Sequence, residues 1–142
     1  VKNLSGGELQ KVAVAACLIR NADIYALDEP SAFLDAEDRI ALAKFIQRYV
    51  RANEKSAIII DHDVQLIDLM ADSLIIFEGV PGRSGEASQP LSKEVGMNRF
   101  LKALSITYRR DESTGRPRVN KDDSRLDRSQ KESGNYYYIK SR

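Results

Sequence analysis

Ile24-Tyr25-Ala26-Leu27-Asp28-Glu29-Pro30 is the stretch on which the fold turns. Four apolar residues run into two adjacent carboxylates and a proline. Pro30 has no N–H to give to a ladder, so it cannot continue a central strand. The run therefore reads as a short buried strand with its acids at the C-terminal end. Two more apolar runs follow: Ala57-Ile58-Ile59-Ile60, which leads into Asp61-His62, and Leu74-Ile75-Ile76-Phe77. Helical periodicity fills the gaps between them. Leu42, Phe45, Ile46, Tyr49 and Val50 share one helical face behind Asp35, a good N-cap. Ile67, Met70 and Ala71 face inward from a helix at about 63–71. Upstream, Leu9, Val12, Ala13, Ala16 and Cys17 predict the apolar face of a helix that begins at Ser5. Uninterrupted β-branched runs alternating with helices predict an α/β fold whose parallel sheet is covered on both faces.

Composition bounds the function classes. The 142 residues are 42% hydrophobic and 30% charged, which is enough to bury a core. No stretch approaches the roughly 18 apolar residues of a membrane-spanning helix. Cys17 is the single cysteine, which excludes an internal disulfide and a multi-cysteine metal site. A reducing, cytoplasmic setting is the expectation. The net charge of +1 hides an asymmetry: residues 1–98 hold 10 basic and 15 acidic residues, and residues 99–142 hold 12 and 6. A basic end on an acidic body hints at an anionic partner. Gly79-Val80-Pro81-Gly82 reads as a turn and 83–90 as polar loop. Met97, Phe100, Leu101 and Leu104 mark a last helix, and Ile106-Thr107-Tyr108 a short strand. Between Asp111 and Asn135 the large aliphatics are Val119 and Leu126 alone. That segment is predicted to build no core and to be extended, docked or disordered, with Tyr136-Tyr137-Tyr138-Ile139 anchoring its end.

Three constellations carry chemistry. Leu4-Ser5-Gly6-Gly7-Glu8 has the Ser-x-x-Glu spacing of a capping box. A capping box does not need the two glycines, which each cost entropy at a helix start. They would let a ligand approach bare N–H groups at the positive end of the helix, with the Ser5 hydroxyl beside them. Asp28 and Glu29 lie where parallel α/β sheets place ligands. One carboxylate can hold Mg²⁺ and the next can polarise an attacking water. His62, the single histidine, sits at the same sheet edge and can donate a hydrogen bond to the same ligand.

The order of these pieces is more specific than any one of them. Leu-Ser-Gly-Gly-Glu, a strand ending Asp-Glu-Pro, then Ser31-Ala32-Phe33-Leu34-Asp35, then a strand ending in His62, resembles the second half of an ABC-type ATPase domain. The resemblance implies the C-terminal portion of a P-loop NTPase fold, mainly a parallel sheet flanked by helices. It implies that Ser5, Gly6, Gly7 and Glu8 are the signature that contacts a γ-phosphate held by the opposing domain. Asp28 would be the Walker B aspartate for Mg²⁺, Glu29 the catalytic glutamate and His62 the switch histidine. Ser31, Ala32, Leu34 and Asp35 would form the D-loop that couples the two sites. Gly79-Val80-Pro81, Gly96 to Leu101, Ile106 to Asp111, Arg116 to Lys121 and Gly134 to Tyr138 look like subfamily E of these ATPases, the ribosome-recycling branch, in its second ATPase domain. Asp61 stands where Glu is more usual. The family implies ATP and Mg²⁺ as cofactors, with iron–sulfur clusters expected only in an N-terminal domain outside this sequence. It implies as partners the first ATPase domain, ribosomal subunits and translation termination factors, and no membrane. Arg109, Arg110, Arg116, Arg118 and Lys121 would contact rRNA phosphates or strap the ATPase domains.

No G-x-x-x-x-G-K-[ST] occurs in these residues, and no Gly-Lys pair. The chain alone is therefore expected neither to bind ATP tightly nor to hydrolyse it, to be a fragment, and to be marginally stable or aggregate. Residues 1–90 read as ATPase machinery and 91–142 as a family-specific helix, hinge-like segment and basic tail. The alternatives are the ATP-binding subunit of a membrane transporter, which the tail disfavours, and a non-catalytic interaction fragment, which Asp28, Glu29 and His62 disfavour.

Overall fold

A computed structural model describes residues 3–111 and 117–138, with the Tyr138 side chain excepted. It divides into two compact units, Val1–Met70 and Ala71–Arg142.

The first unit carries α1 (Gly6–Leu18), β1 (Ile24–Asp28), α2 (Ala36–Ala52), β2 (Ser56–Ile60) and α3 (Val64–Met70). β1 and β2 pair in parallel, Ile24 opposite Ser56 and Asp28 opposite Ile60. The register brings Asp28-Glu29 and Asp61-His62 to one edge. The core is Val14 and Leu18 of α1, Tyr25 and Leu27 of β1, and Ile46 of α2, with Leu42, Tyr49, Val50, Ala57 and Ile59 packed around them. Tyr25 and Tyr49 meet edge to face; the Tyr25 hydroxyl donates to the Arg20 carbonyl at 2.7 Å with the Leu18 carbonyl at 3.2 Å, and the Tyr49 hydroxyl donates to the Leu18 carbonyl at 2.5 Å. The bonds to Leu18 satisfy a carbonyl that the end of α1 leaves without a helical donor.

Two expectations for this unit need correction. α1 buries Val14 and Leu18, whereas Leu9, Val12, Ala13 and Ala16 are exposed. Val12-Ala13-Val14-Ala15-Ala16 is apolar all round, so periodicity could not choose the face. The tyrosine bonds to Leu18 fix it. Among the described residues of the first unit, helices cover one face of the sheet. Tyr25 and Leu27 are buried, while Ile24, Ile58 and Ile60 on the other face are 61%, 56% and 61% exposed.

The second unit is built from short antiparallel pieces. β3 (Ser73–Leu74) pairs with β6 (Leu91–Ser92), and β4 (Phe77–Val80) forms a hairpin with β5 (Ser84–Ala87). The run 74–77 is therefore not a third parallel strand. It splits because Ser88 takes both backbone groups of Ile76: its Oγ accepts the Ile76 N–H and its N–H donates to the Ile76 carbonyl, each at 2.9 Å. Residues 83–90, expected as polar loop, supply β5 instead. Gly79 has φ of +154°, and a Cβ there would lie 2.1 Å from the Ser84 carbonyl oxygen, so the hairpin needs a glycine at that crossing.

α4 (Lys93–Ala103) buries Met97 and Leu101, as its periodicity predicted. β7 (Tyr108–Arg110) pairs antiparallel with β8 (Pro117–Val119) and parallel with β9 (Tyr137–Tyr138), and α5 (Arg125–Ser133) lies between the last two in sequence. The stretch 111–135 does build a core where it is described, but a polar one. Thr107, Asn120, Asp127 and Gln130 are all buried. Thr107 Oγ1 donates to Asp127 Oδ1, and Asn120 Nδ2 donates to Thr107 Oγ1 at 2.9 Å and to Gln130 Oε1. Gln130 Nε2 donates to the Tyr108 and Asn135 carbonyls at 3.1 and 2.9 Å. The expected tyrosine anchor holds at Tyr137, which is buried and stacked on Tyr108 at 6.3 Å. Asn98 Oδ1 fastens the strand by accepting the Tyr136 and Tyr137 N–H groups.

Candidate functional site

The site lies in the first unit, at the C-terminal edge of β1 and β2. Asp28 is the last residue of β1 and shares its exposed face with Ile24 and Ala26. Glu29 keeps the ladder for one more bond, its N–H donating to the Ile60 carbonyl at 2.8 Å. The chain then leaves the sheet sharply: Glu29 has φ of +44°, a left-handed conformation that is costly for a side chain with a Cβ. Two donors hold that kink. The Glu29 carbonyl accepts the Ala32 N–H at 3.0 Å and Gln10 Nε2 of α1 at 3.1 Å. His62 faces the freed side chain, with Nδ1 3.5 Å from Glu29 Oε1. Both side chains are more than half exposed, so a ligand can reach them.

Ser5 to Glu8 form the start of α1. The Ser5 N–H donates to Glu8 Oε2 at 2.8 Å, and the Glu8 N–H donates to Ser5 Oγ at 3.3 Å. This is the reciprocal capping box, and the Ser5 N–H, followed by the Ser5 hydroxyl, holds the Glu8 carboxyl below its ordinary value. The Ser5 oxygen accepts in this arrangement, so its own O–H stays available to an anion. Gly6 and Gly7 occupy the first turn, where N–H groups have no helical acceptor. A Cβ on Gly7 would stand 3.0 Å from the Phe33 carbonyl oxygen and 3.4 Å from Leu34 Cδ2. Gly7 is thus what lets the helix start directly against the segment 31–34.

In that segment, Ser31 and Leu34 are buried and Ala32 is half-buried. Phe33, in a left-handed conformation at φ +62°, is 81% exposed. Asp35 caps α2 by accepting the Asp38 N–H at 2.9 Å. The structure therefore brings Glu29 to His62, the 31–34 segment to Gly6 and Gly7, and Asp28 to the same edge. It also adds residues that sequence reasoning missed. Gln10 holds the Glu29 backbone, and Arg39 and Asp63 hold the segment around His62. Asp63, just before an apolar period, had a readable capping signal. Gln10 and Arg39 had none, because Glu29 and Asp63 lie far from them in sequence.

Mg²⁺ fits the donor set. Among the described residues no three His, Cys, Asp or Glu side chains converge as a metal cage. An ion at Asp28 would take one carboxylate here and its other oxygens from phosphate and water, which is how Mg²⁺ binds with nucleotides.

In the second unit the basic residues are partly engaged. Arg109 Nη1 donates to Asn120 Oδ1 at 3.1 Å, and Arg118 pairs with Asp111 at 3.4 Å. Arg110 is half-buried and Lys121 exposed, while Arg116 lies outside the described residues. Among the described residues no helix is long and apolar enough to cross a membrane.

Site and fold together define a class: the chain is a stretch of an ABC-type P-loop ATPase, and the family model for ABC transporters matches residues 1–32. The particular relatives narrow it, for the chain is homologous over nearly its whole length to the RLI group. It is 53% identical over 139 residues to an uncharacterized ABC transporter ATP-binding protein of Methanocaldococcus jannaschii, and 50% identical over 139 residues to translation initiation factor RLI1 of Saccharomyces cerevisiae. Each match covers 98% of this chain and 23% of the relative. It superposes with a TM-score of 0.91, at 56% identity, on an archaeal ribosome recycling factor solved in complex with an archaeal ribosomal stalk protein, covering 98% of this chain and 27% of that one. The chain thus spans about a quarter of the length of the proteins it matches.

Proposed function

We propose that this chain supplies part of the catalytic machinery of a soluble, cytoplasmic ABC-type ATPase that couples ATP binding and hydrolysis to the splitting of ribosomes into subunits. The observation that carries the reading is the Glu29–His62 pair, 3.5 Å apart at the sheet edge that also bears Asp28. Glu29 polarises the attacking water, and its exposed carboxylate is free to do so. His62 turns Nδ1 toward Glu29, which leaves Nε2 for a phosphate oxygen. Asp28 is the carboxylate for the Mg²⁺ that accompanies ATP and neutralises charge on the phosphates. Ser5, with the Gly6 and Gly7 amides, receives a γ-phosphate bound by the opposing ATPase domain, and Glu8 fixes the Ser5 cap. Ser31, Ala32, Leu34 and Asp35 couple the two composite sites. Closing around ATP and reopening after hydrolysis drives subunit separation.

On this reading residues 1–90 are ATPase machinery and residues 91–142 the family-specific part. The partners are the first ATPase domain of the same protein, ribosomal subunits with their rRNA, and termination factors. The likeness to a recycling factor seen with a ribosomal stalk protein supports a ribosomal setting. Arg109 and Arg118, which already have acceptors of their own, fit a strap better than a free phosphate-binding patch.

The test is Glu29→Gln in the full-length protein that contains this segment. Steady-state ATP turnover should fall by about a hundredfold or more while ATP still binds, and ribosome splitting measured by light scattering should stop after one round. Intact turnover would remove the assigned role of Glu29.

A further inference from the structure

His62 is largely exposed and lies two residues beyond β2, where strand pairing has ended. Its position against Glu29 therefore depends on its neighbours in sequence. Both neighbours are tied to the segment 31–34. On one side, Asp61 Oδ2 accepts the hydroxyl of buried Ser31 at 2.7 Å. Asp61 Oδ1 accepts the Asp63 N–H at 2.9 Å, closing a short ring around His62. On the other side, Asp63 Oδ2 accepts from Arg39 Nη1 at 3.1 Å, and Arg39 Nε donates to the Leu34 carbonyl at 2.8 Å. Asp63 Oδ1 meanwhile accepts the Gln65 and Leu66 N–H groups, which fixes its carboxylate in place.

We infer that Asp61, Asp63 and Arg39 are positioning residues for the Glu29–His62 pair. They form two clamps, Ser31–Asp61 and Leu34–Arg39–Asp63, that fasten the histidine loop to the 31–34 segment and carry any displacement of that segment to His62. The inference rests on the ATPase reading of Glu29 and His62 and adds to it a physical link between the D-loop and the histidine. Charge-assisted bonds suit such a link because they are short and directional. The guanidinium is needed for its fork: Arg39 reaches a backbone carbonyl and a carboxylate with two different nitrogens, which an ammonium on a single flexible stem does not reproduce.

The same bonds also stabilise the fold, so the test separates placement of His62 from plain stability. Arg39→Ala, Arg39→Lys, Asp61→Ala and Asp61→Glu are made in the full-length protein, each alone and combined with His62→Ala. Arg39→Ala and Asp61→Ala should lower kcat by about ten- to a hundredfold, as small misplacements of a reacting group do. KM for ATP should stay within about twofold, since ground-state binding is not touched. Asp61→Glu, which keeps the carboxylate, should recover most of kcat, and Arg39→Lys should not. In the His62→Ala background neither alanine substitution should cost anything further. A further multiplicative loss in that background, or a change confined to KM, would overturn the inference. Unfolding midpoints of the same variants identify any loss due to instability, and an additive loss accompanied by a lowered midpoint counts against the clamps. Glu29→Gln is the control. If it keeps turnover, the ATPase reading fails by itself; if it abolishes turnover and the cycles are additive, only the clamps fail.

Discussion

Tyr25 in β1 and Tyr108 in β7 are both buried tyrosines on small sheets, yet they sit in opposite chemistry. Around Tyr25 are Val14, Leu18, Leu27 and Ile46, and the polar contacts are confined to two hydroxyls that finish a helix. Beside Tyr108 the buried side chains include Thr107, Asn120, Asp127 and Gln130. Apolar burial is non-directional and accumulates with area, so the first unit tolerates local variation in how its side chains meet. A buried hydrogen-bond network is worth little beyond water when complete and is costly when broken, so the second unit depends on each partner being present.

That contrast can be broken by measurement. The largest expected effect is in the first unit. Leu18 is 1% exposed and central to the cluster, so Leu18→Ala should cost about 2–5 kcal/mol, from lost transfer energy and the cavity left behind. Denaturant unfolding with hydrogen exchange resolved to the two units would read it, and amides of β1 and β2 should lose protection first. The next effect is in the second unit. Gln130→Ala removes one acceptor and two donated bonds at once, leaving Asn120 Nδ2 and the Tyr108 and Asn135 carbonyls short of partners. About 1–3 kcal/mol should be lost, with protection falling in β7 and β8. If Gln130→Ala proved silent while Leu18→Ala did not, the polar cluster would not be what holds the second unit, and the contrast would collapse.

The same difference explains what could be read from the sequence. β1, β2, the capping box at Ser5, the Asp35 cap and the placement of Asp28, Glu29 and His62 at one edge all follow from local signals: an apolar run, a proline, a cap spacing. The face of α1 did not, because five consecutive apolar residues leave its rotation to distant tyrosines. The run 74–77 looked like β1 and β2 by composition, but a serine twelve residues after Ile76 took the backbone groups a third parallel strand would have needed. The polar core of residues 107–130 was invisible for the reason the network is directional: Asn120 and Gln130 carry no period and reveal their role only once a partner ten or more residues away is in place. At the site the reading reached Asp28, Glu29 and His62 at the sheet edge and missed the residues that hold them, since Gln10 reaches Glu29 and Arg39 reaches Asp63 through long-range bonds on otherwise ordinary helix surfaces.

The smallest expected effect tests the charge within the polar core. Lys131, first, and then Thr107 and the Asp123 N–H hold the buried Asp127 carboxyl below its ordinary value of 3.8. A carboxylate with a depressed folded value contributes stability that is fully present above the unfolded value and is lost as the pH falls through the folded one. The Asp127 contribution to the second unit should therefore be lost as the pH drops below about 3.8. Glu78, lowered by Arg99, acts in the same direction but is exposed and screened by solvent. In the first unit the lowered carboxyls, Glu8 and Asp23, are likewise exposed. Acid should thus separate the two units, with protection lost in β7, β8 and α5 before β1 and β2. Asp127→Asn keeps the shape and a hydrogen-bonding group but removes the titration, so it should flatten the acid dependence of the second unit while lowering its stability at neutral pH. An acid response in that unit that is unchanged by the substitution would show that the carboxylate is a bystander in the network.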